Sequence, residues 1–349
     1  MRGDSLRLDW KRLPAAYYGM RMSTFDWRNF DIMTDAFSTL AGMGYAGTPA
    51  ISSVAAPSST EGRVWAALCA QTPAVVLPAS SSNRRGTIML IDEAAGSQFD
   101  ALSRLPGPLV DEVRAPVIAN AAMGRSFHGN RGRPWHASRG NLHLSALFPC
   151  DLDIARCGSL VSAAACLAVC DAIQGVTPEI RTEIKWVNDV RIGPAKVSGI
   201  LTTARALEGR MRSIIFGIGL NVLSQPPAVE PTAFVPAVTH LGAHAAGLTP
   251  GRVWSALVAA LMTRFDQLAG APGQIVADYR DRCGAVGRMV RLYAEDVTNR
   301  METLKAATPL ARGRVARLDD SLGVVLEGSE KVWTSGRLAY EDECVALGL

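Results

Sequence analysis

Between Glu183 and Val222 three runs, EIKWVNDVRI, KVSGILTTARAL and RSIIFGIGLNV, follow one another with little more than turn residues between them. They read as successive strands, the first interrupted by an Asn-Asp turn. Upstream, TIMLIDEA, APVIANAA and NLHLSALF are further strands, SQFDALSRL is a short helix, and AVVLPASSSNRRG is a strand running into a loop. A long helix is expected at 154–174. A second, over Arg252–Leu268, places Val253, Leu257, Leu261 and Phe265 on one face, and QIVADYRDRC adds a third after a Pro-Gly break. Many strands with few, long helices imply an α+β architecture, a mixed β-sheet backed by helices. The tail changes character: GRMVRLY, GRVARLDDSLGVVLEG and KVWTSGRL are short strands joined by turns, the pattern of a small β-barrel or sandwich.

Residues 1–85 form an N-terminal extension of unknown role. NFDIMTDAFSTLAGMGYA suits one amphipathic helix with a glycine stop, and GRVWAALCAQ a second, but neither makes a helix-turn-helix with a basic recognition helix. The net charge of +4 on 349 residues, with basic residues spread along the chain, also argues against nucleic acid as a partner. The apolar stretch SLVSAAACLAVCDAI is broken by Ser and Asp and reads as a buried helix, so no membrane span is expected. The N-terminus lacks the apolar core of a secretion signal. The seven cysteines form no C-x-x-C pair, and Cys166 and Cys170 share a helix face without further ligands. They read as small buried hydrophobes in a reducing, cytoplasmic protein, with no resident metal site.

Three constellations carry chemistry. GRSFHGNRGRPWHASRGNLHLS (Gly124–Ser145) gathers four arginines, three histidines and four glycines without an acidic residue. Glycines let backbone amides approach an anion, and arginines present forked donors to phosphate or carboxylate. Trp135 offers a flat face to a base. Taken alone, this suits an anion-binding loop and a solvated surface loop equally. KWVNDVRIGPAKVSGIL brings Lys185, Asn188, Asp189 and Lys196 together, with Gly199 permitting close backbone approach. A lysine there can clamp a carboxylate and a phosphate, and an aspartate can hold Mg2+. In FGIGLNV two glycines inside a buried strand imply that something packs closely on the backbone, and Asn221 can read an adenine edge by a bidentate amide contact.

In this order and spacing, GNRGRPWHASRGNL, KWVNDV, KVSGIL and GIGLNV resemble the biotin protein ligase family within the biotin/lipoate ligase superfamily. YRDRCGAVGRMVRLY and LDDSLGVVLEGSEKVWTSGRL resemble that family's link to, and core hairpin of, a small C-terminal barrel. The resemblance covers about Thr87–Leu349. It implies a class II synthetase-like catalytic domain over 86–283 and an SH3-like barrel over 284–349. It also implies an enzyme that joins biotin to ATP as biotinyl-5'-AMP and passes biotin to a lysine of the biotin carboxyl carrier domain of a carboxylase. By the family's pattern Lys196 would hold the biotin carboxylate, with Asp189 orienting metal or the incoming lysine. Arg131, Arg133 and Trp135 would bind the ATP phosphates and base. Asn188 and Asn221 would contact the nucleotide, with Lys185 and Gly199 beside them. Gly96, Ser97 and Gln98 would line the biotin head-group pocket. Family members use sheet edges both for self-association and for docking the carrier domain, so a homodimer stays open.

The loop departs from the pattern. In FHGNRGR, His128 and Asn130, flanking Gly129, stand where the family has arginines, and KWVNDV lacks its proline. One lost charge is replaced by a group mostly neutral at pH 7. These changes bear on how tightly an acyl-adenylate is held and on which acid is used. Lipoate or octanoate ligation on the same scaffold, and a degenerate regulatory adenylate-binding protein, are the alternatives. The loop is expected to be mobile until an anion orders its mutually repelling arginines.

Overall fold

The computed structural model describes residues 60, 63, 64, 68, 74–80, 85–225, 231–298 and 301–349. The helix expected at 29–46 lies outside these residues, as does most of GRVWAALCAQ.

The strands are β1 (Ala74–Ser80), β2 (Arg85–Ala94), β3 (Val117–Gly124), β4 (Leu142–Asp153), β5 (Glu183–Lys185), β6 (Asp189–Ile192), β7 (Ala195–Leu207), β8 (Arg210–Leu220) and β9 (Ala237–Val238). They form one sheet in the order β1-β2-β3-β4-β8-β7-β6-β5, with β9 added beside β7. Pairing is antiparallel except for β2–β3 and β7–β9, so the sheet is mixed, as expected. The central pairs β4–β8 and β7–β8 run in continuous register over most of their lengths.

β4 is buried without a break from Leu142 to Phe148. One face, including Leu144, Ala146, Phe148, Phe216 and Ile218, packs on α3 (Val161–Val176) and α4 (Pro250–Gly270). Alanines line α3, and Cys166 and Cys170 are buried among them. The stretch Ile154–Val176 is long and apolar enough to cross a membrane, but most of it is buried here between sheet and helices. The other face, with Met89, Ile91, Ala119, Leu147 and Ile215, meets α1 (Gln98–Ser103) and α2 (Gly107–Glu112), which the sequence reading only half anticipated. These two helices cover part of that face. Beyond them the sheet is left open over β4, β8 and β7.

α5 (Pro272–Arg282) leads into β10 (Met289–Tyr293), β11 (Ala311–Leu318), β12 (Val324–Leu326), β13 (Val332–Trp333) and β14 (Arg337–Tyr340), followed by α6 (Glu341–Ala346). The strands form a five-stranded antiparallel sheet, β13-β12-β11-β10-β14. The expected barrel is therefore present as a small antiparallel sheet whose outer strands do not pair with each other. The Trp186 indole donates to the Leu322 carbonyl at 2.8 Å, joining the two sheets at the KWVND segment. Among the described residues all six cysteines are free, and no cluster of His, Cys, Asp or Glu is grouped to hold a metal.

Candidate active site

The open face of the sheet forms the floor of a cavity of about 490 Å³. Its floor is set by register: His143, Gly219 and Gly199 stand in one cross-strand row, and Ser145, Gly217 and Leu201 in the next. The two glycines of FGIGLNV imply that something packs closely against them. The chain itself supplies the answer. A Cβ on Gly219 would overlap the Trp135 ring, and one on Gly217 would lie 2.9 Å from Phe99. Gly199 has Trp135 at 3.5 Å and the Lys196 Nζ at 3.0 Å from such a Cβ. The glycines thus make room for an aromatic wall. Gly219→Ala is expected to push Trp135 off the floor and to cost about 1–3 kcal/mol of stability, the usual range for overpacking. Tryptophan emission and a thermal melt would show both effects, and an unchanged spectrum would contradict this packing.

Trp135 is fixed by a residue the motif reading passed over. Its Nε1 donates to Nδ1 of His143 at 3.2 Å, and the other ring nitrogen lies 3.2 Å from the Ser138 carbonyl. An indole can only donate and a carbonyl only accept, so the ring carries its proton on Nε2 and is neutral. Burial pushes its pKa down to about 4, against the opposing pull of the Ser138 carbonyl. The signal was there in NLHLS, a polar residue among the buried positions of a strand.

The charged centre lies at the other end of the row. Lys196, on β7, donates to Oδ1 of Asp189, on β6, at 2.6 Å, and both side chains are largely buried. Asn188 Nδ2 donates to the Ile200 carbonyl at 2.7 Å. The Tyr279 hydroxyl holds the preceding turn through the Val187 carbonyl at 2.8 Å. Asn221, at the end of β8, spends its Nδ2 on the Thr239 carbonyl, while its buried Oδ1 has no hydrogen-bond partner. Asn221 borders the cavity with that acceptor unpaired.

The Gly124–Ser145 segment closes over the cavity as a hairpin. Gly129 N donates to Arg133 O at 2.7 Å and Trp135 N to Phe127 O at 2.9 Å. A one-turn 3-10 helix, Asn130–Gly132, carries Arg131 at its tip. Arg133 Nε donates to the Asn130 carbonyl at 3.0 Å. Although the segment holds no acid, the fold brings acids to it: Asp92 to Arg139 at 2.6 Å, Glu93 to Arg125 at 3.2 Å and Asp100 to His128 at 2.9 Å. The expectation of an unopposed positive loop is therefore corrected.

Ser97 lines the cavity and caps α1, accepting from Asp100 N at 3.4 Å. Gln98 turns away, buried, with its Nε2 on the Gly96 carbonyl at 2.9 Å, and neither Gln98 nor Gly96 is in the cavity lining. His128, Gly129, Asn130, Arg133, Trp135, Asn188, Asp189, Lys196, Gly199 and Asn221 all border the cavity.

Lys185 does not, although it shares a motif with residues that do. It is 3% exposed, and its ammonium donates to Glu343 Oε2 at 2.9 Å and to the Ala233 and Phe234 carbonyls at 3.2 and 3.0 Å. Arg191 binds the other Glu343 oxygen. The Tyr340 ring lies under Lys185, Arg191 and Arg288. With all three ammonium protons used, Lys185 is a structural tie to α6.

A glycine-floored cavity, closed by a basic hairpin and carrying one Lys–Asp pair on adjacent strands, defines a site built for anionic groups. Residues 116–221, which contain that floor and hairpin, match the biotin/lipoate A/B protein ligase family. Among relatives, it is similar to the biotin--[acetyl-CoA-carboxylase] ligase of Mycobacterium tuberculosis, 34% identical over 180 residues, which are 50% of this chain and 64% of that protein. It is also similar to the bifunctional ligase/repressor BirA of Bacillus subtilis, 40% identical over 101 residues, 28% of this chain and 30% of that one. The chain thus spans less than two thirds of either relative's length. The fold is that of the biotin protein ligase from Aquifex aeolicus solved in complex with biotin and ATP, with a TM-score of 0.55 at 18% identity over 73% of this chain and 98% of that one.

Proposed function

We propose that this chain is an ATP-dependent biotin protein ligase, with residues 86–283 as its catalytic domain and 284–349 as its C-terminal domain. The observation that carries the reading is the Lys196–Asp189 pair at the end of a cavity with an aromatic wall and an arginine hairpin above it. In the first step a carboxylate oxygen attacks the α-phosphorus of ATP, the α–β phosphoanhydride breaks, and pyrophosphate leaves. Lys196 is the fixed charge between the two anions, and it gains interaction as charge builds on the bridging oxygens. Asp189 holds the ammonium in place beforehand. Arg133, which borders the cavity, and Arg131 would bind the phosphates. The partnerless Asn221 Oδ1 accepts from an N–H of the nucleotide base. In the second step a lysine amine of the carrier domain attacks the acyl carbon, AMP leaves, and the amine's extra proton is lost.

Magnesium belongs to the nucleotide substrate in this scheme. It keeps most of its ligands as phosphate and water and asks one or two carboxylates of the protein. Asp189 is the acidic side chain in the cavity lining and would supply one.

The test is ATP–pyrophosphate exchange with purified protein and biotin, lipoate or octanoate in turn. Exchange with biotin alone supports the proposal. Exchange with another acid reassigns the substrate and keeps the chemistry. Nucleotide binding without exchange would move the degenerate, regulatory reading to the front.

A further inference from the structure

His128 occupies a family arginine position, and its ring is held on both sides. Its Nε2 lies 2.9 and 3.0 Å from the two carboxylate oxygens of Asp100, and its Nδ1 lies 3.0 Å from the Gly129 carbonyl. All of these partners can only accept. Both contacts are hydrogen bonds only when each ring nitrogen carries a proton, that is, when the ring is an imidazolium. The position also matters. Asp100 belongs to α1, whose cap Ser97 lines the cavity, while His128 bridges to Pro134 across the hairpin. Whatever fixes His128 to α1 therefore fixes Arg133 and Trp135 on the facing strand of the same hairpin.

We propose that Asp100 is a positioning residue that keeps His128 doubly protonated, so that the pair latches the hairpin to α1 and thereby holds Arg133 and Trp135 in place. The proposal rests on the ligase reading for its consequence, tight holding of ATP and the acyl-adenylate, but not for the latch itself. The charged groups acting on the ring are Asp100, on α1, and Arg104, at its C-cap. Arg104 sits 3.8 Å from Asp100 with its side chain 81% exposed, so solvent screens its opposition. Phe127 and the neutral His143, on the sheet side, add no charge. The Gly129 carbonyl first, and then Asp100, hold the His128 pKa above its ordinary 6.5, with partial burial pulling the other way. For a raised histidine the charged contact is complete below pH 6.5 and is lost as pH rises through the raised value.

Two measurements test this on the full chain. In the first, 15N–1H NMR of the imidazoles follows the protonation of His128 from pH 5.5 to 9, with its signal assigned by its absence in H128R. The expected result is a ring protonated on both nitrogens near neutral pH, and a midpoint displaced downward in D100N. A wild-type midpoint at or below 6.5 would overturn the latch, whether or not D100N folds. The second is the pH profile of the KM for ATP in exchange. Wild type should weaken by about tenfold as the ring deprotonates, the worth of one charge-assisted hydrogen bond. H128R should be flat, and D100N should weaken at lower pH. The same midpoint for D100N and wild type, or a profile retained in H128R, would overturn the proposed role in binding. Absence of exchange in every protein would count against the ligase reading, and the NMR result would stand apart from it.

Discussion

Lys196→Ala is expected to lower biotin-dependent ATP–pyrophosphate exchange by about 10²–10³-fold, the loss seen when one fixed donor is removed from a developing anion. The fold should tolerate the change. Lys196 is partly exposed, its one recorded side-chain hydrogen bond is to Asp189, and β7 is paired on both sides by backbone bonds. The loss should therefore appear in turnover with an unchanged melting temperature. Asp189→Asn should act in the same direction but less strongly, because it frees the ammonium without removing it. Exchange by Lys196→Ala within threefold of wild type would remove the central support for the proposed chemistry.

The largest stability effect is expected at a distance from the cavity. Glu343→Ala removes the carboxylate shared by Lys185 and Arg191, which are each about 97% buried. Two cations would then face each other over the Tyr340 ring, with the Glu183 carboxylate, 3.9 Å from Arg191, as the remaining ion-pair partner. Breaking a buried pair by deleting one partner typically costs about 3–5 kcal/mol. Burial already pulls the Lys185 pKa down, and Glu343 is the main opposing influence. The variant should accordingly lose stability most at neutral and lower pH, where Lys185 must be charged. Urea denaturation would measure the loss, and a change below about 1 kcal/mol would show that the cluster is not load-sharing. Lys185→Met, which removes one cation and keeps the stem's volume, should cost less than Glu343→Ala.

Much of this architecture was legible in order and type. The strands from β2 to β8 and the helices α3, α4 and α5 were marked by period and by turn residues, both local signals. The glycines of FGIGLNV correctly announced a close approach. What approaches could not be read from them, because Phe99 and Trp135 come from segments more than 80 residues upstream of the glycines they cover. The same limit explains the two main corrections. KWVND suggests that Lys185 and Asp189 act together, and the two do stand opposite each other in the β5–β6 pair, yet the Lys185 ammonium is spent on Glu343 and the Asp189 carboxylate on Lys196. The partner that claims Lys185 lies 158 residues away in the sequence. Likewise the hairpin looks acid-free because Asp92, Glu93 and Asp100 precede it by 28 to 47 residues and reach it only through the β2–β3 pairing and α1. Spacing within a motif reports shared neighbourhood. It does not report which face of a turn a charge will occupy.

The tie between Lys185 and Glu343 has a practical side. Arg288 binds Asp342, Arg291 and Arg312 bind Glu341, and Arg291 also reaches the Leu349 carbonyl at 3.2 Å, so the segment from α6 onward is bonded back into the body at several points. Trimming the chain after Tyr340 would strip the counter-ion from a strand that leads directly into the Asn188–Asp189 turn. An affinity tag or reporter placed on this end therefore sits beside the bonds that hold that counter-ion in place.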